Sequence, residues 1–195
     1  IVVPPGVRRH EPVTVQVKVH ALGAMSARIR LASGTRRLGA ANVTLRPGAN
    51  DIAFETALTG VGETTLTATV RADGDRFEGN DTLAASIDVG PPPRVLHVEG
   101  VPESAHHLAD ALRAHHIDVT VAAPDALASG ASPLAGFDAV ILSDVFVQSL
   151  DARAAAAIER LVRDTGGGLI FAAGESTYGQ EGFAGSALER LLPVR

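Results

Sequence analysis

Three kinds of side chain in this sequence could do chemistry: paired histidines, clustered carboxylates, and a few hydroxyls in the second half of the chain. His106-His107 and His115-His116 invite a metal reading. Adjacent residues on a helix point about 100° apart and cannot share one ion, so these pairs read as solvated helix-face side chains. His97 lies inside an apolar run and reads as a hydrogen-bonded core residue, with Glu99 next to it as the one route to proton chemistry. Asp73, Asp75, Glu78 and Asp81 offer oxygens of the kind calcium takes. Their spacing is not that of a twelve-residue calcium loop and Arg76 stands among them, so a solvated hairpin is expected. Ser143, Ser176 and Thr177 remain as possible hydroxyl nucleophiles, yet none sits in a Gly-x-Ser-x-Gly elbow. Gly166-Gly167-Gly168 precedes an apolar run, which makes it a helix stop, not a phosphate cradle.

These residues depend on the elements that would carry them. From residue 94 onward, short apolar runs alternate with helical spacing. The runs RVLHVE (94–99), 117–122, DAVILS (138–143) and GLIFAA (168–173) read as strands. Ala105, Leu108, Ala109 and Leu112 recur at helical spacing after Pro102, as do Ala154, Ala157, Ile158, Leu161 and Val162 after Ser149 as a cap. A further short helix is expected over 186–192. Continuously apolar strands separated by helices predict a parallel sheet covered on both faces, joined by right-handed crossovers. Ligands of such sheets sit at the carboxyl ends of the strands. That edge gathers Glu99, Ser143, Asp144, Gly174, Glu175, Ser176, Thr177 and Tyr178 as candidate ligand-binding residues. The three carboxylates Glu99, Asp144 and Glu175 form the best available constellation for a polar ligand; the alternative is ordinary loop carboxylates that cap helices. No catalytic residue, metal ligand or cofactor is assigned.

The first ninety residues carry the other period. Val13, Val15, Val17 and Val19 alternate with polar residues, the mark of a strand with one buried face. Further runs at 27–31, 42–45, 51–56, 64–70 and 83–89 follow the same rule, separated by turn signals such as Arg46-Pro47-Gly48. Short strands without a helical pattern predict an antiparallel, immunoglobulin-like β-sandwich over 1–90. Pro91-Pro92-Pro93 is a stiff linker, and 94–195 is the α/β domain, of flavodoxin-like type. Four strands are legible there, where about five or more are usual, so the domain reads as truncated, with further strands expected beyond Arg195. The start at Ile1-Val2-Val3, without Met, likewise reads as a piece of a longer protein.

Composition removes several function classes. Without cysteine there is no thiolate nucleophile, disulfide or thiolate-bound metal. Residues 1–90 carry ten basic and nine acidic side chains, and 91–195 carry seven and thirteen. Neither half has a linear basic stripe, which argues against nucleic acid and against contact of this segment with an anionic membrane. Sixteen Arg against one Lys reads as coding bias. No run of about 18 apolar residues is present.

The segment 94–194 resembles the glutamine amidotransferase-like domain of bacterial membrane proteins that often also carry a von Willebrand factor type A domain. The matching pieces are RVLHVEG (94–100), GFDAVILSDV (136–145), AIERLVRDTGGGLIFAAG (157–174) and STYGQEGFAGSALERLLPV (176–194). The stretch DGDRFEGNDTLAASIDVG (73–90) is similar to the end of the adhesion-type (CARDB, Ig-like) sandwich that often precedes that domain. The resemblance implies a class I amidotransferase frame, whose nucleophilic Cys would stand at Ala172 or Ala173, with a His following. Here those positions are alanine and no His follows His116. A non-catalytic binding or scaffolding module of a membrane-anchored parent is therefore expected. Its partners would be other domains of that parent, a protein or a small ligand. It would lie outside the bilayer, on a side the sequence does not fix. Rival expectations are a hydrolase or transferase using a hydroxyl or metal at the same edge, and a sugar- or polymer-binding sandwich with a spacer domain.

Overall fold

The computed structural model describes residues 1–4, 6–75, 77–129, 132–175, 177 and 189. The chain divides into two compact units, Ile1–Pro92 and Pro93–Arg195.

The first unit is a β-sandwich. Its strands are β1 (Val7–Arg8), β2 (Pro12–Ala21), β3 (Met25–Ser33), β4 (Arg36–Leu45), β5 (Gly48–Ala57), β6 (Gly62–Ala72) and β7 (Thr82–Gly90). Five of them form one sheet in the order β1-β7-β6-β3-β4, and β2 and β5 form the facing pair. Alternation decides which side chains turn inward: Val13, Val15 and Val17 of β2 are buried, while the residues between them face water. Ile29, Leu31, Leu66 and Val89 meet them from the larger sheet. Phe54 is the aromatic member of this buried core among the described residues, and with no cysteine in the chain the mainly aliphatic packing is the main source of the sandwich's stability.

Two details depart from the sequence reading. The short β1 runs parallel to β7, with Val7 opposite Val89, so the sandwich is not purely antiparallel. Strand β4 begins at Arg36, well before the 42–45 run. Its first half was hidden by small residues, Gly39-Ala40-Ala41, and by the register shift opposite Leu31 and Ala32. Gly39 belongs there because a Cβ would run into the Phe54 ring.

The second unit contains β8 (Arg94–Glu99), α1 (Ala105–Ala114), β9 (Asp118–Ala122), β10 (Ala139–Ser143), α2 (Ala152–Arg163) and β11 (Gly168–Ala172). Its four strands are all parallel, in the order β11-β10-β8-β9. The chain therefore steps from β8 to β9 on one side and then crosses back past β8 to β10 on the other. The pleat sorts the core. Leu96, Val98, Val140 and Leu142 pack with Ala154, Ala157, Ile158 and Leu161 of α2 and with Leu127 of the 3-10 turn Pro124–Ala128. Residues of the other parity, among them Val95, His97 and Ile141, are also buried, and α1 packs on β8 and β9.

Helix α2 starts at Asp151, whose carboxylate accepts from the Ala154 N–H at 2.8 Å. Ser149, expected as the cap, instead donates its hydroxyl to the Phe146 carbonyl at 2.6 Å. Gly166, at φ 71°, ends the helix segment as its position before a strand implied. Pro102 opens a 3-10 turn, Pro102–Ser104, and α1 proper follows from Ala105. The helix expected over 186–192 lies outside the described residues, apart from Glu189. No helix among the described residues is long and apolar enough to cross a membrane.

Candidate functional site

The carboxyl ends of β8, β10 and β11 meet where the strand order reverses, the position at which open parallel sheets carry ligands. Strand pairing sets the neighbours: Glu99 lies opposite Ser143, and Ser143 opposite Ala172. Just past these pairs the backbone closes on itself. Gly100 N–H donates to the Ser143 carbonyl and Asp144 N–H to the Ala172 carbonyl, both at 2.9 Å.

Asp144 is the hub of this edge. It takes a left-handed backbone conformation, φ 45°, which Asp tolerates better than most residues. That turn aims its carboxylate at the loop after β11. Asp144 Oδ1 accepts from the Thr177 N–H at 3.1 Å and lies 3.3 Å from the Thr177 hydroxyl. The same hydroxyl accepts from Gly174 N–H at 3.3 Å and lies 3.4 Å from the Val145 carbonyl. Thr177 is 2% exposed. Two glycines make room: a Cβ on Gly100 would overlap the Asp144 carbonyl, and a Cβ on Gly174 would overlap the Asp144 carboxylate.

Glu99 turns elsewhere. It is 4% exposed, and its Oε1 accepts from Val101 N–H at 3.1 Å. Its Oε2 lies 3.2 Å from Nε2 of His97, which is fully buried. The distance is that of an ion pair, but the direction is wrong for a hydrogen bond, and both ring nitrogens of His97 are unsatisfied. His97 is thus a core residue, without the hydrogen bonding expected of it. Glu175 is exposed on the loop, and Ser143 is half-buried. Ser176 and Tyr178 lie outside the described residues.

The edge therefore brings Ser143, Asp144, Gly174 and Thr177 together by backbone and hydroxyl contacts. It does not place Glu99, Asp144 and Glu175 as three carboxylates turned to one ligand: one faces Val101 and His97, one faces Thr177, and one faces water. Sequence reasoning missed Gly100 as a contact of Asp144. Its signal was a glycine immediately after a fully apolar strand.

Elsewhere, the rings of His106 and His107 lie 3.9 Å apart, centroid to centroid, on exposed helix positions. In the acidic loop Asp75 accepts from Phe77 N–H at 2.9 Å. Among the described residues, no group of three or more His, Asp or Glu side chains could hold a metal ion.

No family model matches the chain, and no curated protein matches it. Among solved structures it is similar to the CARDB domain of the PF1109 protein from Pyrococcus furiosus. That similarity has 21% identity and a TM-score of 0.39, over 45% of this chain and 81% of that one. It is also similar to a domain of a putative cell surface protein from Methanosarcina acetivorans, at 19% identity and a TM-score of 0.38, over 46% of this chain and 87% of that one.

Proposed function

We propose that this chain is a non-catalytic binding and scaffolding module of a larger, membrane-anchored bacterial protein. In this reading an adhesion-type sandwich precedes a flavodoxin-like, glutamine amidotransferase-like domain that has given up its chemistry. The sandwich and the parallel sheet present the carboxyl edge around Asp144 and Thr177 to another domain of the parent, a protein or a small ligand.

The observation that carries this reading is the use made of Thr177. Among the described residues it is the candidate hydroxyl on the loop after β11, and it is buried and engaged with Asp144, Gly174 and Val145. A nucleophile needs a base and an open approach to the reacting carbon. The neighbour of Thr177 is a carboxylate that also accepts from the Thr177 backbone, an arrangement that fixes a loop. Where the amidotransferase frame would carry its thiol, Ala172 and Ala173 have no reactive atom. The one buried imidazole, His97, stands within β8 and faces Glu99.

The test is turnover. The purified chain is incubated with glutamine and with a panel of ester and amide substrates, with and without divalent metals. The expected result is no release of ammonia, acid or alcohol above that of the Thr177→Val variant. Turnover at an enzyme-like rate that Asp144→Asn or Glu175→Gln removes would replace the scaffold reading with a hydrolase.

A further inference from the structure

The sandwich carries a second surface, independent of the sheet edge in the other unit: the outer face of its five-stranded sheet. Alternation sends Arg28 and Arg30 of β3 and Arg71 of β6 to that face, and all three are exposed. Scattered in the chain, they are gathered by strand pairing. Arg28 lies directly opposite Arg71, and Arg30 lies opposite Thr69, two residues before Arg71. Side chains directly opposite stand about 5 Å apart at Cβ, and diagonal ones about 7 Å. The three guanidinium groups therefore form one basic patch that no linear run of the sequence shows.

Little within the sheet neutralises this charge. Arg28 Nε donates to Asn42 Oδ1 at 3.0 Å, a bond to a neutral group. Arg30 and Arg71 make no ion pair or side-chain hydrogen bond among the described residues. The carboxylates facing outward from β6 and β7, Glu63 and Asp88, lie opposite each other at the far end of β6. That is roughly 25 Å from Arg71 at strand rise, well beyond the ~10 Å over which salt lets exposed charges act. Like charges directly opposite on a sheet cost stability, so the Arg28–Arg71 pair is kept at the expense of the fold. An open cleft of about 500 Å³ lies over the pair. Ser26, Asn42, Thr44 and Asp73 share its lining with the two arginines.

We propose that this face binds an acidic polysaccharide, a chain of hydroxylated rings that carry carboxylate or sulfate groups. The lining selects the occupant. Guanidinium groups take oxyanions through paired N–H donors. The Asn42 amide, the Ser26 and Thr44 hydroxyls and the Asp73 carboxylate exchange hydrogen bonds with sugar hydroxyls. Strand β3 is interior to its sheet, with β6 on one side and β4 on the other, so its backbone is spent and recognition falls to side chains. A protein partner is anchored by aromatic or apolar groups at the centre of its contact, whereas the neighbours of the arginines here are Ala40, Asn42 and Thr69. A single-stranded nucleic acid needs rings to stack on, and β3, β4 and β6 contain no aromatic residue. Asp73 repels a plain polyanion, but it accepts from one that brings hydroxyl donors.

The test is calorimetric titration of the full chain at low salt with hexagalacturonate, a sulfated chondroitin hexasaccharide, hexaglutamate and neutral maltohexaose. One or both acidic saccharides are expected to bind, more weakly as salt is raised. The peptide and the neutral saccharide are expected to bind at least tenfold more weakly. Which acidic saccharide is taken tells carboxylate from sulfate. The double variant Arg30→Gln with Arg71→Gln removes two cations that hold nothing in the fold. It is expected to weaken binding tenfold or more, with a melting transition unchanged or raised. Arg71→Gln alone is read in the same way if the double variant does not fold. Asp73→Ala separates sugar recognition from plain charge attraction: it makes the face more positive, yet it is expected to weaken saccharide binding threefold or more. The proposal is overturned if neither acidic saccharide binds, or if hexaglutamate or maltohexaose binds as tightly. It is also overturned if the arginine variant binds like the parent chain, or if Asp73→Ala leaves binding unchanged or tightens it.

Discussion

At the scale of single residues, Asp144 holds the sheet edge together, and its neighbours have been chosen by the space it leaves. The Asp144–Thr177 contact is a charge-assisted hydrogen-bond pair at a largely dry position. Replacing Asp144 by alanine removes the acceptor and leaves a buried N–H unsatisfied; a loss of about 2 kcal/mol is expected. Thr177→Val keeps the shape and removes only the hydroxyl, so about 1 kcal/mol is expected. Gly100→Ala should be worse than either, by about 3 kcal/mol, because the atoms its Cβ meets belong to the Asp144 backbone and cannot swing away. Urea unfolding followed by circular dichroism at 222 nm checks all three, since both α-helices among the described residues lie in this unit. The identity of these residues was legible in the sequence, and their roles were not. Three carboxylates at three strand ends invited a shared ligand. The left-handed turn at Asp144 and the contact with Gly100 across two strands instead turned one of them into a clamp. Neither is a property of local spacing.

At the scale of elements, the patterns that survived were those with one strong period. Val13, Val15 and Val17 define β2 without help, because a single slip in register would send all three to water. The first half of β4 has no such signal, since its place is set by β3 and by the ring of Phe54 beside Gly39. For α2, Ser149 and Asp151 are both capping types two residues apart, and only the backbone decides between them. Asp151→Ala is therefore expected to destabilise the α/β unit by about 1 kcal/mol. Ser149→Ala should leave the same helical transition almost unchanged. Ile158, fully buried in the α2 face, anchors the helix to Val140 and Leu142. Its replacement by alanine should lower stability by about 3 kcal/mol in the same urea experiment.

At the scale of the whole molecule, the division at Pro92 and Pro93 follows from chemistry that changes across it: a period of two before the prolines, strands alternating with helices after them. Each unit has its own core. A fragment of residues 1–92 is expected to fold alone, with β-type circular dichroism and the same unfolding midpoint as the sandwich in the full chain. A fragment that stays unfolded would show that the sandwich needs the rest of the chain. In the proposed reading, the α/β unit carries no activated nucleophile. Intact mass after incubation with a glutamine-mimicking diazoketone and with a fluorophosphonate tests this most directly, because the first marks a nucleophile in a site that accepts glutamine and the second an activated hydroxyl of broad substrate range. The expected result is a chain of unchanged mass with both reagents. A stoichiometric adduct mapping to Ser143 or to residues 172–178, lost in the corresponding alanine variant, would contradict it.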